Sequence, residues 1–286
     1  MREEKDMTSP DIIFDEIGYW SEIKLDIIRE YAAAYSIIIN AQSSPSFQHI
    51  YIDAFAGAGV HISKTTGEYI PGSPLNAMLI DPPFYEYHLI DLNGEKVNLL
   101  RKLTQDDNRV TVYVGDCNKI LLEDVYPKVK FEDYRRGLCL LDPYGLHINW
   151  KIIESAGQLK TIDMFLNFPV MDMNRNVLWR NPDNVSPKNI ARMNAFWGDA
   201  SWREVAYQPI QTLFGEWDQK RDIEEIVNAF CERLKNIAGF DHVPEPLPMR
   251  NSKGAVVYYL FFASQKPVAK KIILKIFNKY RMRGAG

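Results

Sequence analysis

The chain has 286 residues, of which 46% are apolar and 25% charged. These are globular proportions, and they exclude a disordered chain, a collagen-like repeat and a disulfide mini-protein. No apolar run approaches the roughly 18 residues a membrane helix needs. The start, MREEKDMTSP, is charged and lacks the apolar centre of a signal peptide, so a cytoplasmic location is expected. The net charge of −3 is the sum of two unlike parts. From Arg250 to Gly286 there are nine basic residues and no acidic one, whereas the preceding 249 residues carry a balance of −12. An acidic body with a basic end points to an anionic partner.

In chain order, residues 18–40 read as a helix. Trp20, Ile23, Ile27, Tyr31, Ala34 and Ile38 recur at three- and four-residue steps along it. Residues 49–55 read as a buried strand that ends in Ala56-Gly57-Ala58-Gly59. A second strand is predicted over 85–92, a helix over 95–103 and an alternating strand over 109–116. A helix broken by Pro127 follows over 118–135. Residues 137–145 form a continuous apolar run ending in turn residues, as expected of a central parallel strand. A helix over 150–159 and a fifth strand over 161–169 complete an alternation of strands and helices, which implies a parallel sheet.

The rhythm then changes. Residues 171–218 hold Trp179, Trp197, Trp202 and Trp217 with no clear strand, and read as a tryptophan-rich helical insertion. Its tryptophans, with Asn174, Arg175, Arg180 and Arg192, are either nucleic-acid contacts or packing anchors. A helix over 219–238, a short β run over 239–243, a proline-rich turn, a strand over 255–263 and a helix over 267–280 end the chain. On the last helix Ala269, Ile272, Ile273, Ile276 and Tyr280 face inward. Lys266, Lys270, Lys271, Lys275 and Lys279 face outward, either as a solvated face or as a phosphate-binding one.

In an open α/β sheet, ligands bind beyond the carboxyl ends of the strands. Four successive ends carry suitable residues: Asp53 to Gly59, Asp91, Gly115-Asp116-Cys117-Asn118 and Asp142-Pro143-Tyr144-Gly145. The Asp91 carboxylate can accept the two hydroxyls of a ribose, or cap the next helix. Asp116 can accept an adenine amine or act as a cap. Asp142-Pro-Tyr-Gly can be a turn. Asp81-Pro82-Pro83-Phe84 matches an amino-methyltransferase pattern letter for letter, but it precedes the second strand and reads as a loop. Residues 67–74 (GEYIPGSP) offer Gly72-Ser73 over the ligand, or Ser73 as a helix cap. The five histidines lack metal-binding spacing, and the three scattered cysteines form neither a zinc site nor a disulfide framework.

In this order, YIDAFAGAG (51–59), PGSPLNAM (71–78), LIDLN, GDCN (115–118), LLDPYGL (140–146), LNF (166–168) and FWG followed by Trp202 resemble the three-Cys-motif partner (TcmP) proteins. The opening Trp20-x3-Lys24 matches as well. The resemblance covers about residues 19–265. It implies an α/β, Rossmann-like class I methyltransferase sheet, parallel with one antiparallel strand near the C-terminus, as a single domain over 1–286. It also implies S-adenosylmethionine as cofactor and a radical-SAM-like three-Cys-motif protein as partner. Carried over by position, Asp53, Gly57 and Gly59, with Phe55 beside them, hold the methionine part. Asp91 takes the ribose, Asp116 and Cys117 the adenine, and Asp142, Pro143 and Tyr144 sit beside the methyl acceptor. The expected activity is methyl transfer to a nucleic-acid base or amine. The second proline of the amino-methyltransferase motif is missing here, which motivates an alternative: a non-catalytic module that docks the partner. A nicotinamide-type Rossmann enzyme is a third reading, and the imperfect glycine motif weighs against it.

Overall fold

The computed structural model describes residues 14–212, 215–251 and 253–283. The charged start read above lies outside these residues, as do the side chains of Met282 and Arg283 and everything beyond them. No helix among the described residues is long and apolar enough to cross a membrane.

Seven strands build the central sheet: β1 (Gln48–Asp53), β2 (Glu86–Asp91), β3 (Val110–Val114), β4 (Arg135–Leu141), β5 (Ile162–Phe168), β6 (Leu247–Arg250) and β7 (Val256–Ala263). Their order is β6-β7-β5-β4-β1-β2-β3. The pairs β4–β5, β4–β1, β1–β2 and β2–β3 are parallel, and β7 runs antiparallel to both β5 and β6. This is the α/β, Rossmann-like arrangement of class I methyltransferases. Strand order reverses between β1 and β4, which opens a crevice at their carboxyl ends.

Both faces of the sheet are covered. Every residue of β5 is buried, which suits a strand with helices above and below it. Alternate residues serve two cores. Ile50, Ile52, Cys139 and Leu141 join one; Tyr51, Leu138 and Leu140 join the other. The second core is closed by α1 (Tyr19–Asn40), α2 (Gly94–Thr104) and the C-terminal helix α5 (Pro267–Arg283). The first is closed by α3 (Trp150–Leu159), α4 (Ile223–Asn236) and the inserted segments. On α1, Ile23, Ile27 and Tyr31 are buried as expected, joined by Ile28, Ala32 and Tyr35. Trp20, Ala34 and Ile38 lie at the margin. The apolar face is wider than a strict seam because a helix on a sheet buries a broad stripe.

Three expectations are corrected. The helix foreseen over 118–135 is only Cys117–Ile120, followed by a wide turn at Leu121–Val125 and a tight one at Tyr126–Lys128. Pro127 has no N–H to continue the ladder. The partner of β7 is Leu247–Arg250, not residues 239–243, where only His242 pairs, with Ser264. Pro244 and Pro246, which lie between the two stretches and lack N–H donors, keep the pairing at His242 from running on into β6, and Pro248 is tolerated because β6 is an edge strand. The insertion is helical only as far as Ala206 (Val170–Asn176, Pro187–Trp197, Trp202–Ala206). It ends in an antiparallel hairpin, Tyr207–Thr212 with Gly215–Lys220. That hairpin is why α4 begins at Ile223 rather than 219. Trp197 and Trp202 are fully buried, and Trp197 lies 5.6 Å from the Phe230 ring. Trp179 and Trp217 are exposed. The tryptophans thus divide between core and surface.

Candidate functional site

The carboxyl ends of β1 to β4 meet at one cleft of about 620 Å³. Phe55, Asp91, Asp116, Cys117 and Tyr144, all expected at a site, line it together, with Lys96 and His147. Asp53 lies beneath the cleft floor, fully buried. Gly57, Gly59, Asp142 and Pro143, expected at the same site, are not among the residues that line it.

The first turn is built on backbone conformation. Gly57 and Gly59 have φ of 61° and 82°, in the left-handed region that favours glycine. A side chain at Gly57 would meet nothing within 4 Å, whereas one at Gly59 would come within 2.9 Å of Leu100 Cδ1. Asp53 Oδ1 accepts from Phe55 N at 3.1 Å, and the Tyr51 hydroxyl donates to Oδ2 at 3.3 Å. Burial pushes the Asp53 carboxyl up to about 7, while hydrogen bonds from Ser73 and Phe55 pull the other way.

Asp91 fastens this turn. Its Oδ2 accepts from Gly57 N and its Oδ1 from Asn93 N, both at 2.8 Å. The cap of α2 is Asn93, whose side chain accepts from Glu95 N and Lys96 N, so Asp91 does not serve as the cap. Two bonds use half of the lone pairs of the Asp91 carboxylate, and the remainder can accept further donors. Asp116 does cap its helix, accepting from Asn118 N at 2.9 Å. Burial, with Asp116 nearby, pushes the Cys117 thiol up to about 12. Asn118 ties two strand ends together: its amide donates to His147 O at 2.8 Å, and its Oδ1 accepts from Asn149 N at 2.7 Å.

At the fourth strand end two further residues, Lys24 and Asn167, join those expected. Lys24, from the second turn of α1, is buried and forms an ion pair with Asp142 Oδ2. Burial alone would lower the Lys24 ammonium, but the Asp142 charge and hydrogen bond, with Tyr258, outweigh it and hold it above its ordinary range. The Tyr258 ring centre is 5.4 Å from Lys24 Nζ. Asn167, at the end of β5, donates to Asp142 Oδ1 at 2.9 Å and to Pro143 O at 3.2 Å. Both Asp142 oxygens and the Pro143 carbonyl, expected to receive an acceptor amine, thus each take one hydrogen bond from within the chain and keep a further lone pair. Tyr144 is 81% exposed and stands at the cleft mouth. Lys96 reaches the cleft from the first turn of α2 and pairs with Asp15.

Lys24 and Asn167 were visible only as motif letters, and Lys96 carried no signal beyond its place one turn after Asp91. In the 67–74 segment, Gly72 and not Ser73 occupies the cap position, and Gly72 N donates to Gly59 O at 2.7 Å. The Asp81–Phe84 segment is a loop entering β2 at its opposite end, and Phe84 is buried in the core.

No family model matches this chain, and no curated protein matches its sequence. Among solved structures it is similar to a Legionella pneumophila protein of the family model DUF519. That likeness has a TM-score of 0.46 at 14% identity, over 90% of this chain and 92% of that one. It is also similar to an S-adenosylmethionine-dependent methyltransferase from Clostridium acetobutylicum (TM-score 0.42, 10% identity, 84% and 91% covered). A third is the methyltransferase domain of bacterial CtHen1-CN (0.39, 10%, 83% and 99%). The fold is the Rossmann-like α/β arrangement of class I methyltransferases, and that assignment rests on strand order rather than on these likenesses.

Proposed function

We propose that the cleft holds S-adenosylmethionine and that the protein is a methyltransferase acting on a nucleic-acid base or amine. The observation that carries this reading is the convergence of four consecutive strand ends on one cleft of about 620 Å³, within the range of small-molecule sites. The donor set fits the cofactor. Asp91 keeps lone pairs for two adjacent hydroxyls, and the Gly57 turn leaves open space where a side chain would project. Phe55 and Cys117 add apolar surface, and Asp116 a carboxylate at the adenine end. When bound, the cofactor supplies an electrophilic methyl group on a sulfonium.

The chain's own work is positioning. Asp91 locks the glycine turn through Gly57 N, so ribose contact and loop shape depend on one carboxylate. Lys24 and Asn167 fix Asp142 and the Pro143 carbonyl, which makes Asp142 a positioning residue in this reading. Tyr144, free at the mouth, is the side chain placed to stack on an incoming ring. The exposed lysines Lys266, Lys270, Lys271 and Lys275 offer phosphate contacts, while Lys279 is paired with Glu30. Membership of the three-Cys-motif partner group, and a radical-SAM-like three-Cys-motif protein as partner, rest on the motif resemblance and complete the proposal.

The test is transfer of label from methyl-labelled S-adenosylmethionine into RNA, DNA and protein fractions, with and without the three-cysteine protein. Label entering one fraction and lost on Tyr144→Ala supports the reading. No transfer to any fraction, with cofactor binding intact, favours the non-catalytic module.

A further inference from the structure

At the opposite edge of the sheet lies a cavity of about 290 Å³. It is lined by the end of α1, the starts of β4 and β5 and the start of α5, and it opens to solvent. The length of β4, seven residues, separates it from the cleft by about 20 Å. Its walls are of two kinds. Tyr35, Ile38, Phe47 and Ile272 provide an apolar side, while Arg136, Lys160 and Lys266 provide three cations.

Among the described residues neither Arg136 nor Lys160 has an acidic partner, while Lys266 stands near the Asp163 carboxylate. Among the described residues, Arg136 donates only to the Arg135 carbonyl, at 2.7 Å, so one of its five donors is taken. Its guanidinium is held between two rings, 4.4 Å from Phe47 and 4.5 Å from Phe131. This fixes its plane and leaves its edge available. Burial lowers the Arg136 pKa, with the Tyr35 hydroxyl acting the other way. Lys160 donates to the Gly239 carbonyl and to Gln265, which are neutral acceptors. The one acid in the wall, Asp163, already accepts from Tyr31 at 2.6 Å and from Ser264 at 2.5 Å. A caged guanidinium beside an apolar chamber is unfavourable alone and complementary to an amphipathic anion.

We propose that this cavity is a second binding site, for a small amphipathic carboxylate. The apolar body lies among Tyr35, Ile38, Phe47 and Ile272, and the carboxylate meets Arg136 with Lys266 beside it. The site is independent of the cofactor cleft and of the methyl-transfer reading.

The experiment is calorimetric titration of the full chain at pH 7.5 with 3-phenylpropionate, 3-phenylpropionamide and inorganic phosphate. The acid binds with a Kd below about 1 mM, and the amide and phosphate bind at least about tenfold more weakly. Arg136→Gln weakens the acid at least about tenfold, and Asp91→Ala in the distant cleft leaves it unchanged. Lys266→Gln, at an exposed position, gives a smaller loss and decides the matter if Arg136→Gln does not fold. Equal binding of acid and amide, no binding of the acid up to about 10 mM, or full affinity in a folded Arg136→Gln variant overturns the proposal.

Discussion

Lys24 on the first long helix and Asp142 at the end of the fourth strand form a partly buried ion pair across 118 residues of sequence. The pair joins the cover helix to the carboxyl end of the sheet, and Asn167 completes it from the neighbouring strand. Removing one partner strands a buried charge. Lys24→Met or Asp142→Asn should each cost about 2–4 kcal/mol, less than a fully dry pair because Asp142 retains some solvent contact. The double variant should recover part of the loss, with a coupling of at least about 1 kcal/mol in urea unfolding. Because the Lys24 pKa is raised on folding, its contribution is fully present at neutral pH and fades only at high alkaline pH.

Asp53 and Asp163 should make stability fall as pH rises. Burial raises them to about 7 and about 6, so between pH 4 and 7 the folded chain binds more protons than the unfolded one. Stability therefore declines across that window. Asp53→Asn should flatten the slope by an amount on the order of 2–4 kcal/mol. Urea midpoints taken from pH 4.5 to 7.5 on both proteins check this, and parallel profiles would contradict it.

The two glycines of the first turn should differ in their tolerance. Gly57→Ala meets only the backbone cost of a left-handed residue, about 1–2 kcal/mol. Gly59→Ala adds the clash with Leu100 and should cost more. Denaturant unfolding of the two variants gives the ranking directly.

No cysteine should react in the native protein. Cys117, Cys139 and Cys231 are buried, and burial pushes them up to about 12, about 12 and about 11. Titration with a thiol reagent at pH 8 should count none until denaturant is added, and then three.

The tryptophans should separate cleanly. Trp202→Ala removes a fully buried ring and its bond to Asn194, at a cost of about 3–5 kcal/mol. Trp217→Ala, at an exposed hairpin position, should stay within about 0.5 kcal/mol. Thermal unfolding of each variant distinguishes the two.

Much of the frame was legible because β1, β2, β4 and β5 are rich in apolar residues and the first three run into aspartate at their carboxyl ends. Asp91 and Asp116 could be placed at the cleft from their position after a strand alone. Whether each acts as a cap was not legible, since that depends on the geometry of the following turn: Asn93 takes the role after β2, and Asp116 keeps it after β3. The Lys24–Asp142–Asn167 cluster was hidden for another reason. Its members come from three distant segments that only tertiary packing brings together. The hairpin at 207–220 escaped notice because Pro209, Asp218 and the interspersed polar residues blur the alternation of a strand exposed on both faces. Likewise β6 lay within what read as a turn, because an edge strand tolerates the prolines that a central strand excludes.

The central claim is that the cleft at the ends of β1 to β4 binds S-adenosylmethionine, with Asp91 as the anchor. Calorimetric titration of the full chain with S-adenosylhomocysteine tests it most directly. Binding should be saturable with a Kd in the micromolar range, and roughly tenfold or more weaker in a folded Asp91→Ala variant. Absence of binding at high micromolar concentration, or equal affinity in the Asp91→Ala variant, would contradict it.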